Sequence, residues 1–398
     1  MRLLACLVPV SCLIVQASDN AADNKAPQTQ FTVHEWGTFT SIAGENGMAL
    51  EWQPFGGPTD LPCFVHRFQI GFKANLSGTV RMETPVIYFY TPQAMTARVH
   101  VAFPKGYITE WYPKATQVAR PLGSGNIPGT GDVPRGPGVR APREGEPDSI
   151  EWPEVHVDPT ATPKYSYQFE SSNYYAARST DSAPLTAGGE TEKFLFYRGV
   201  GEFQPPIAAQ IVDADHLRVR NMAKSDIPAA IVFQNAGGKI RYRALGAVKN
   251  ETSVEFPRAD ANLAALKLDL EKILAEQGLF PTEAHAMVET WRDSWFEEGS
   301  RVFYIVPASE MESILPLQVE PRPDRIARVF VGRVELIMPE LRSIIATAIQ
   351  RQDRETLEKY GRFLDAIVPN LRASGVVQEV FYKYQSLETA CATGGKQW

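Results

Sequence analysis

The chain has 398 residues, 40 basic against 46 acidic side chains, a net charge of −6 and 44% hydrophobic content. That mildly acidic balance supplies no broad basic field for a phosphate backbone, and no DNA- or RNA-binding motif is present, so nucleic acid is not expected as a partner. The length exceeds what one hydrophobic core usually organises, so two or more cores are expected.

The first seventeen residues have the form of an export signal. Arg2 precedes an apolar run, Leu3 to Val15, that is too short to span a bilayer. Val15-Gln16-Ala17 then offers small residues where a signal peptidase reads, which predicts cleavage before Ser18 and a secreted or periplasmic protein. Ser11-Cys12 resembles part of a lipobox, the alternative being a lipoprotein anchor, but Pro9 stands where an aliphatic residue is wanted. The polar stretch Ser18–Gln30 suits a flexible mature N-terminus, and no later segment is long and apolar enough for a transmembrane helix. Cleavage would remove Cys6 and Cys12 and leave Cys63 and Cys391, which in an oxidising compartment are expected to form one disulfide.

Residues 31–258 read as β structure. Short β-branched and aromatic runs alternate with turn residues: Phe31–Ile42, Arg67–Lys73, Thr79–Tyr90, Ala97–Phe103, Tyr165–Phe169, Lys193–Tyr197, Ala208–Val212, Ala229–Gln234 and Ile240–Ala247. Asn75-Leu76-Ser77-Gly78 and Asn235-Ala236-Gly237-Gly238 carry hairpin-turn chemistry. Many short strands without intervening helices predict an antiparallel, sandwich-like domain. Inside it, 113–163 is dominated by Pro, Gly and Arg and reads as an insertion, either a lid or a disordered loop.

From residue 259 to 398 the pattern predicts an α+β domain. Leu263, Leu266, Leu270, Ile273 and Leu274 form one stripe of a helix over Asn262–Gln277, with Gly278 as its stop. Further helices are expected at Thr282–Glu298, Pro339–Gln350 and Arg354–Ala373, and strands at Arg301–Val306, Leu315–Val319 and Ile326–Ile337.

The segment Val33-His34-Glu35-Trp36-Gly37-Thr38-Phe39-Thr40 is the most unusual. In a strand, Glu35 shares a face with Val33 and Phe39, while His34 and Trp36 share the other, so a strong polar group is carried inward whichever face is buried. Burying it costs several kcal/mol unless it is paired, so a partner must exist. The chemical reading is a catalytic or metal-binding His34/Glu35 pair, and the structural one is a core ion pair. Glu-Trp occurs four times, at Glu35-Trp36, Glu51-Trp52, Glu110-Trp111 and Glu151-Trp152. Sugar sites combine aromatic faces with carboxylates, and glycosidases need two acids, which makes an extracellular glycan the leading expected ligand. On that reading Glu35 and Glu83 are the acids, His34 assists, and Trp36, Trp111 and Tyr88 supply rings. Tryptophan inside with glutamate outside is the plainer account of each pair. Cys63-Phe64-Val65-His66 adds a thiol and an imidazole, so His34, Glu35 and His66 are the expected ligands if a divalent metal is used, although a disulfide would consume the thiol. His285 and Glu289 lie one turn apart on a helix beside Trp291 and Trp295, where packing is the favoured reading. No Gly-x-Ser-x-Gly elbow, Ser-x-x-Lys, Walker loop or EF-hand is present.

The block His34–Thr40, with the segments Met82–Tyr90 and Trp291–Arg301, resembles an uncharacterised group of secreted bacterial proteins. The resemblance covers most of the chain outside the signal and the insertion. It implies export and brings no activity, cofactor or site residue with it.

Overall fold

The computed structural model describes residues 31–52, 61–67, 76–118, 139–140, 143, 146–168, 172–361, 363–364 and 366–368. The predicted signal peptide, the flexible N-terminus, Cys391 and most of the stretch between 119 and 147 lie outside them. The protein is mostly β, with 44% of residues in strands against 21% in helices, and its α-helices cluster after residue 260.

The organising element is the strand Thr32–Ala43, all of whose residues are buried. Its β-branched and aromatic side chains suit a pleated surface covered on both faces. It pairs antiparallel with Val80–Tyr90 on one side and parallel with Arg325–Leu336 on the other. Nine strands extend this sheet, in the order Lys239–Val248, Ile227–Ala236, Gly299–Ile305, Arg325–Leu336, Thr32–Ala43, Val80–Tyr90, Leu195–Gly201, Gly106–Tyr112 and His66–Arg67. The boundary expected at 258/259 therefore does not separate two sheets, because Gly299–Ile305 and Arg325–Leu336 lie in this one between strands that precede the boundary. Local sequence specifies a strand but not its partner, and a parallel neighbour almost three hundred residues away leaves no trace in local pattern.

One face of the large sheet meets a seven-stranded sheet. Val33, Ile87, Phe89 and Leu195 pack there with Val99, Val101, Ile150 and Trp152. A three-stranded sheet, Ile207–Ile211, His216–Asn221 and Glu251–Glu255, adds Leu217, Val219 and Val254. The other face carries the helices α1 (Leu263–Glu276) and α2 (Pro281–Thr290). Leu266, Leu270, Leu274, Met287 and Val288 cover Trp36, Tyr88, Val329 and Val331. The helices α3 (Ala308–Ile314), α4 (Pro339–Arg351) and α5 (Arg354–Lys359) follow, the last two closing a third cluster of Ile345, Leu357 and Phe363 over Ile42 and Trp52. The result is a β-sandwich with a helical third layer.

Several local expectations change. Helix α1 forms where expected, and Asn262 caps it, accepting from Ala264 N at 2.8 Å. Helix α2 ends at Thr290 instead of Glu298, because Trp295 and Phe296 leave the helical path to pack on Phe303. The tyrosine-rich run from Tyr165 is not a strand. Within 113–163, by contrast, Thr116–Val118 and Asp148–Val157 are strands of the second sheet, and Trp152 donates its indole N–H to Pro113 O at 2.9 Å. Apolar residues spaced two apart, Ile150 and Trp152, were the signal hidden in that proline-rich stretch.

Gly332 marks the tightest approach in the large sheet. A Cβ there would stand 1.9 Å from the ring of Tyr304 on the neighbouring strand. Gly332→Ala is expected to destabilise by about 1–3 kcal/mol through overpacking, read as a lower denaturation midpoint with unchanged slope. Among the described residues no helix is long and apolar enough to cross a membrane.

Candidate functional site

His34 and Glu35 point to opposite faces of the central strand, and both are 0% exposed. Glu35 faces the second sheet. Its carboxylate accepts from Tyr197 OH at 2.5 Å and from Arg328 Nε at 2.5 Å. Burial, then the charge of Glu35, raises the Tyr197 pKa well above its ordinary value, so the phenol stays protonated as a donor. His34 faces the helices, where Nδ1 lies 2.6 Å from Glu283 Oε2 on α2 and the ring packs 4.5 Å from Phe280. A carboxylate-oriented imidazole is the form of an acid–base dyad. Here full burial of both partners closes it to substrate.

Glu83 is also buried, held by Arg81 Nε at 3.0 Å and Thr40 Oγ1 at 3.2 Å. Trp36 packs on Tyr88, which donates its hydroxyl to Ala177 O at 2.7 Å. His66 sits on the last strand of the sheet, four strands from His34 and so roughly 19 Å away. It pairs with Glu190 at 2.8 Å and stacks on Trp111 and Tyr112. The residues expected to share one cleft are therefore dispersed. Glu35 and Glu83 do not face each other as a pair of acids, and His34, Glu35 and His66 do not converge as metal ligands. Cys63 is disulfide-bonded, and Cys391, its expected partner, lies outside the described residues. On α2, His285 pairs with Glu271 and Glu289 with Lys267, while Trp291 and Trp295 pack inward.

What the structure does assemble is a tyrosine platform at the His66 end of the sheet. The short 3-10 helix Asn173–Arg178 is capped by Ser172, whose hydroxyl accepts from Tyr174 N at 3.2 Å. It sets Tyr175 against Tyr167, ring centroids 4.8 Å apart, and Tyr167 is 65% exposed. The Arg178 guanidinium lies over three rings, 4.9 Å from Tyr175, 5.1 Å from Tyr165 and 5.8 Å from Tyr174. Glu192 fixes it through two bonds, at 2.6 and 2.9 Å, and Ser166 O accepts a third at 2.7 Å. Burial opposes the charge on Arg178, but the hydrogen bonds and charge of Glu192 outweigh it and raise its pKa. Burial likewise raises the Glu192 pKa, against the pull of Arg178. Half-buried Phe64 extends the aromatic surface to Tyr112, and Tyr112 OH meets Ser166 Oγ at 3.0 Å. One exposed ring, two half-buried ones and a cation fixed from below by a buried carboxylate thus meet in one place. The available sequence signal was four tyrosines between positions 165 and 175 with Arg178 close behind.

No family model matches the chain, and no curated protein matches it. Among solved structures, the Fcho1 Mu homology domain of Danio rerio with bound Eps15 peptide is similar over 78% of this chain and 97% of its own, at 6% identity and a TM-score of 0.30. A likeness that slight carries neither fold nor function across.

Proposed function

We propose that this is an exported glycan-recognition protein that binds sugar rings on the tyrosine platform. One observation carries the reading: Tyr167 stands exposed on Tyr175, beside an Arg178 held rigid by Glu192. Tyrosine faces offer apolar area to the C–H faces of a sugar, and the surrounding Arg178, Ser166 and Gln168 offer hydrogen bonds to its hydroxyls. Because Arg178 already anchors the rings, little ordering entropy remains to be lost on binding. Recognition is favoured over hydrolysis, since the two acids expected from the sequence are buried in ion pairs. Export is supported by the signal-like N-terminus and by the disulfide on Cys63, which belongs to an oxidising compartment. The mature N-terminus is accordingly expected at Ser18, as read by intact-mass measurement of protein from the native host.

Affinity electrophoresis against a panel of soluble polysaccharides tests the binding claim. The wild type is expected to be retarded by at least one of them. Tyr167→Ala with Tyr175→Ala is expected to weaken that interaction by tenfold or more, about 1.4 kcal/mol or above. Free migration of correctly folded wild type through the whole panel would defeat the proposal, and so would undiminished retardation of the double variant.

A further inference from the structure

The outer face of the seven-stranded sheet carries a cleft of about 260 Å³ made of different residues. Four adjacent strands contribute one side chain each to a single cross-strand row, Gln318, His100, Glu151 and Thr116. Arg98 and Ser149 lie two positions along from His100 and Glu151, and Glu146 and Glu320 complete the lining. Arg98 is already committed, bonded to Glu151 and 3.9 Å from Glu320. Against its one positive charge stand three glutamates. Burial, the largest influence, lowers the His100 pKa, so the imidazole is neutral at pH 7 and the lining carries a net charge of 1 − 3 = −2.

Two groups of the cleft have no partner among the described residues. Ser149 is 3% exposed, and neither its hydroxyl nor the His100 ring has a hydrogen-bond partner among the described residues. Ser149 lines the cleft while almost all of its side chain is covered, so its hydroxyl has the cleft as the place to find a partner. Hydroxyl oxygen, neutral imidazole nitrogen and carboxylate all accept hydrogen bonds, in a site whose charge repels anions. No group of three His, Cys, Asp or Glu among the described residues is placed to hold a metal ion. The complementary ligand is then an organic cation rich in N–H donors.

We propose that this cleft binds a primary ammonium group, its three N–H bonds directed to Ser149 Oγ, the His100 ring and the glutamate carboxylates. The site is independent of the tyrosine platform, and either can fail without the other.

Titration calorimetry on the full mature protein decides it, with ethanolamine, glucosamine and tetramethylammonium chlorides as probes. Ethanolamine is expected to bind. Tetramethylammonium, with the same charge and no N–H donor, is expected to bind at least about tenfold more weakly. Tighter binding of glucosamine than of ethanolamine would assign the ammonium to an amino sugar, and the reverse order to a simple amine. Ser149→Ala and Glu151→Gln are each expected to weaken ethanolamine by about tenfold, with the circular dichroism spectrum unchanged. Glu151 is partly exposed, so its neutralisation is tolerable, and Ser149→Ala stands as the test should Glu151→Gln fail to fold. Silence of ethanolamine into the millimolar range, equal binding of tetramethylammonium, or unchanged affinity in a folded variant would each overturn the assignment.

Discussion

Glu335→Ala is expected to destabilise the protein by about 3–5 kcal/mol, a large part of the stability of a typical domain. Glu335 is buried between two buried arginines, accepting from Arg333 Nε at 2.5 Å and lying 3.0 Å from Arg301 Nε. Arg333 reaches on to Glu297 at 2.8 Å, and Arg301 donates to the carbonyls of Trp295 and Ser294. Burial disfavours the charge on Arg333, but Glu335 and then Glu297 more than offset it and raise its pKa. Removing the carboxylate leaves two guanidiniums facing each other in low dielectric, and also loosens the turn that α2 gives way to. Urea denaturation measures the cost. A loss below about 1 kcal/mol would mean that water already screens the cluster, as it screens surface pairs. Replacing Arg333 with Met in the same chain removes one of the two buried positive charges and is expected to recover part of the loss.

That cluster, like the His34 and Glu35 pairs, shows what local pattern can and cannot reveal. The alternation Val33, Glu35 against His34, Trp36 was enough to say that a strong polar group enters the core and must find a partner. The sheet is covered on both faces, so both groups are buried, and the partners are Glu283 and Arg328, 249 and 293 residues away. The four Glu-Trp pairs divide for the same reason. Glu51 and Glu151 keep contact with solvent while Trp52 and Trp152 are buried, whereas Glu35 and Glu110, on the doubly covered sheet, are buried beside their tryptophans. Most strands and helices were legible because they depend on neighbours in sequence. The mixed sheet uniting both halves was not, because its parallel pairing is non-local. The tyrosine platform was masked by its own alternation: Tyr165, Tyr167 and their polar neighbours imitate a strand. In the structure that backbone instead serves the rings, with Gln168 N donating to Tyr175 OH at 2.8 Å and Ser166 O holding Arg178.

Alkaline pH is expected to unfold the protein steeply just above pH 10. The five tyrosines with the most strongly raised pKa values are Tyr88, Tyr90, Tyr174, Tyr197 and Tyr304, in each case chiefly through burial. Glu283 adds to the effect at Tyr88 and Tyr90, Glu192 at Tyr174 and Glu35 at Tyr197. Below pH 10 the phenols are protonated in both folded and unfolded chains, and their contribution to stability is fully present. Above it, the unfolded chain releases protons that the folded chain must keep, so stability is lost as pH rises from the unfolded value toward the folded ones. Each tyrosine contributes about 1.4 kcal/mol per pH unit, and five together about 7. A stability of about 5–15 kcal/mol would be exhausted within roughly two units. Denaturation midpoints measured across this range, with tyrosinate absorbance followed in parallel, should show a group of phenols that ionise only as the fold is lost. Tyr304→Phe removes one titrating group whose shift comes from burial alone, and should reduce the slope by about 1.4 kcal/mol per pH unit. Smooth ionisation of every tyrosine in the still-folded protein would mean that these five rings are open to water, and with them the interior that they help to fill.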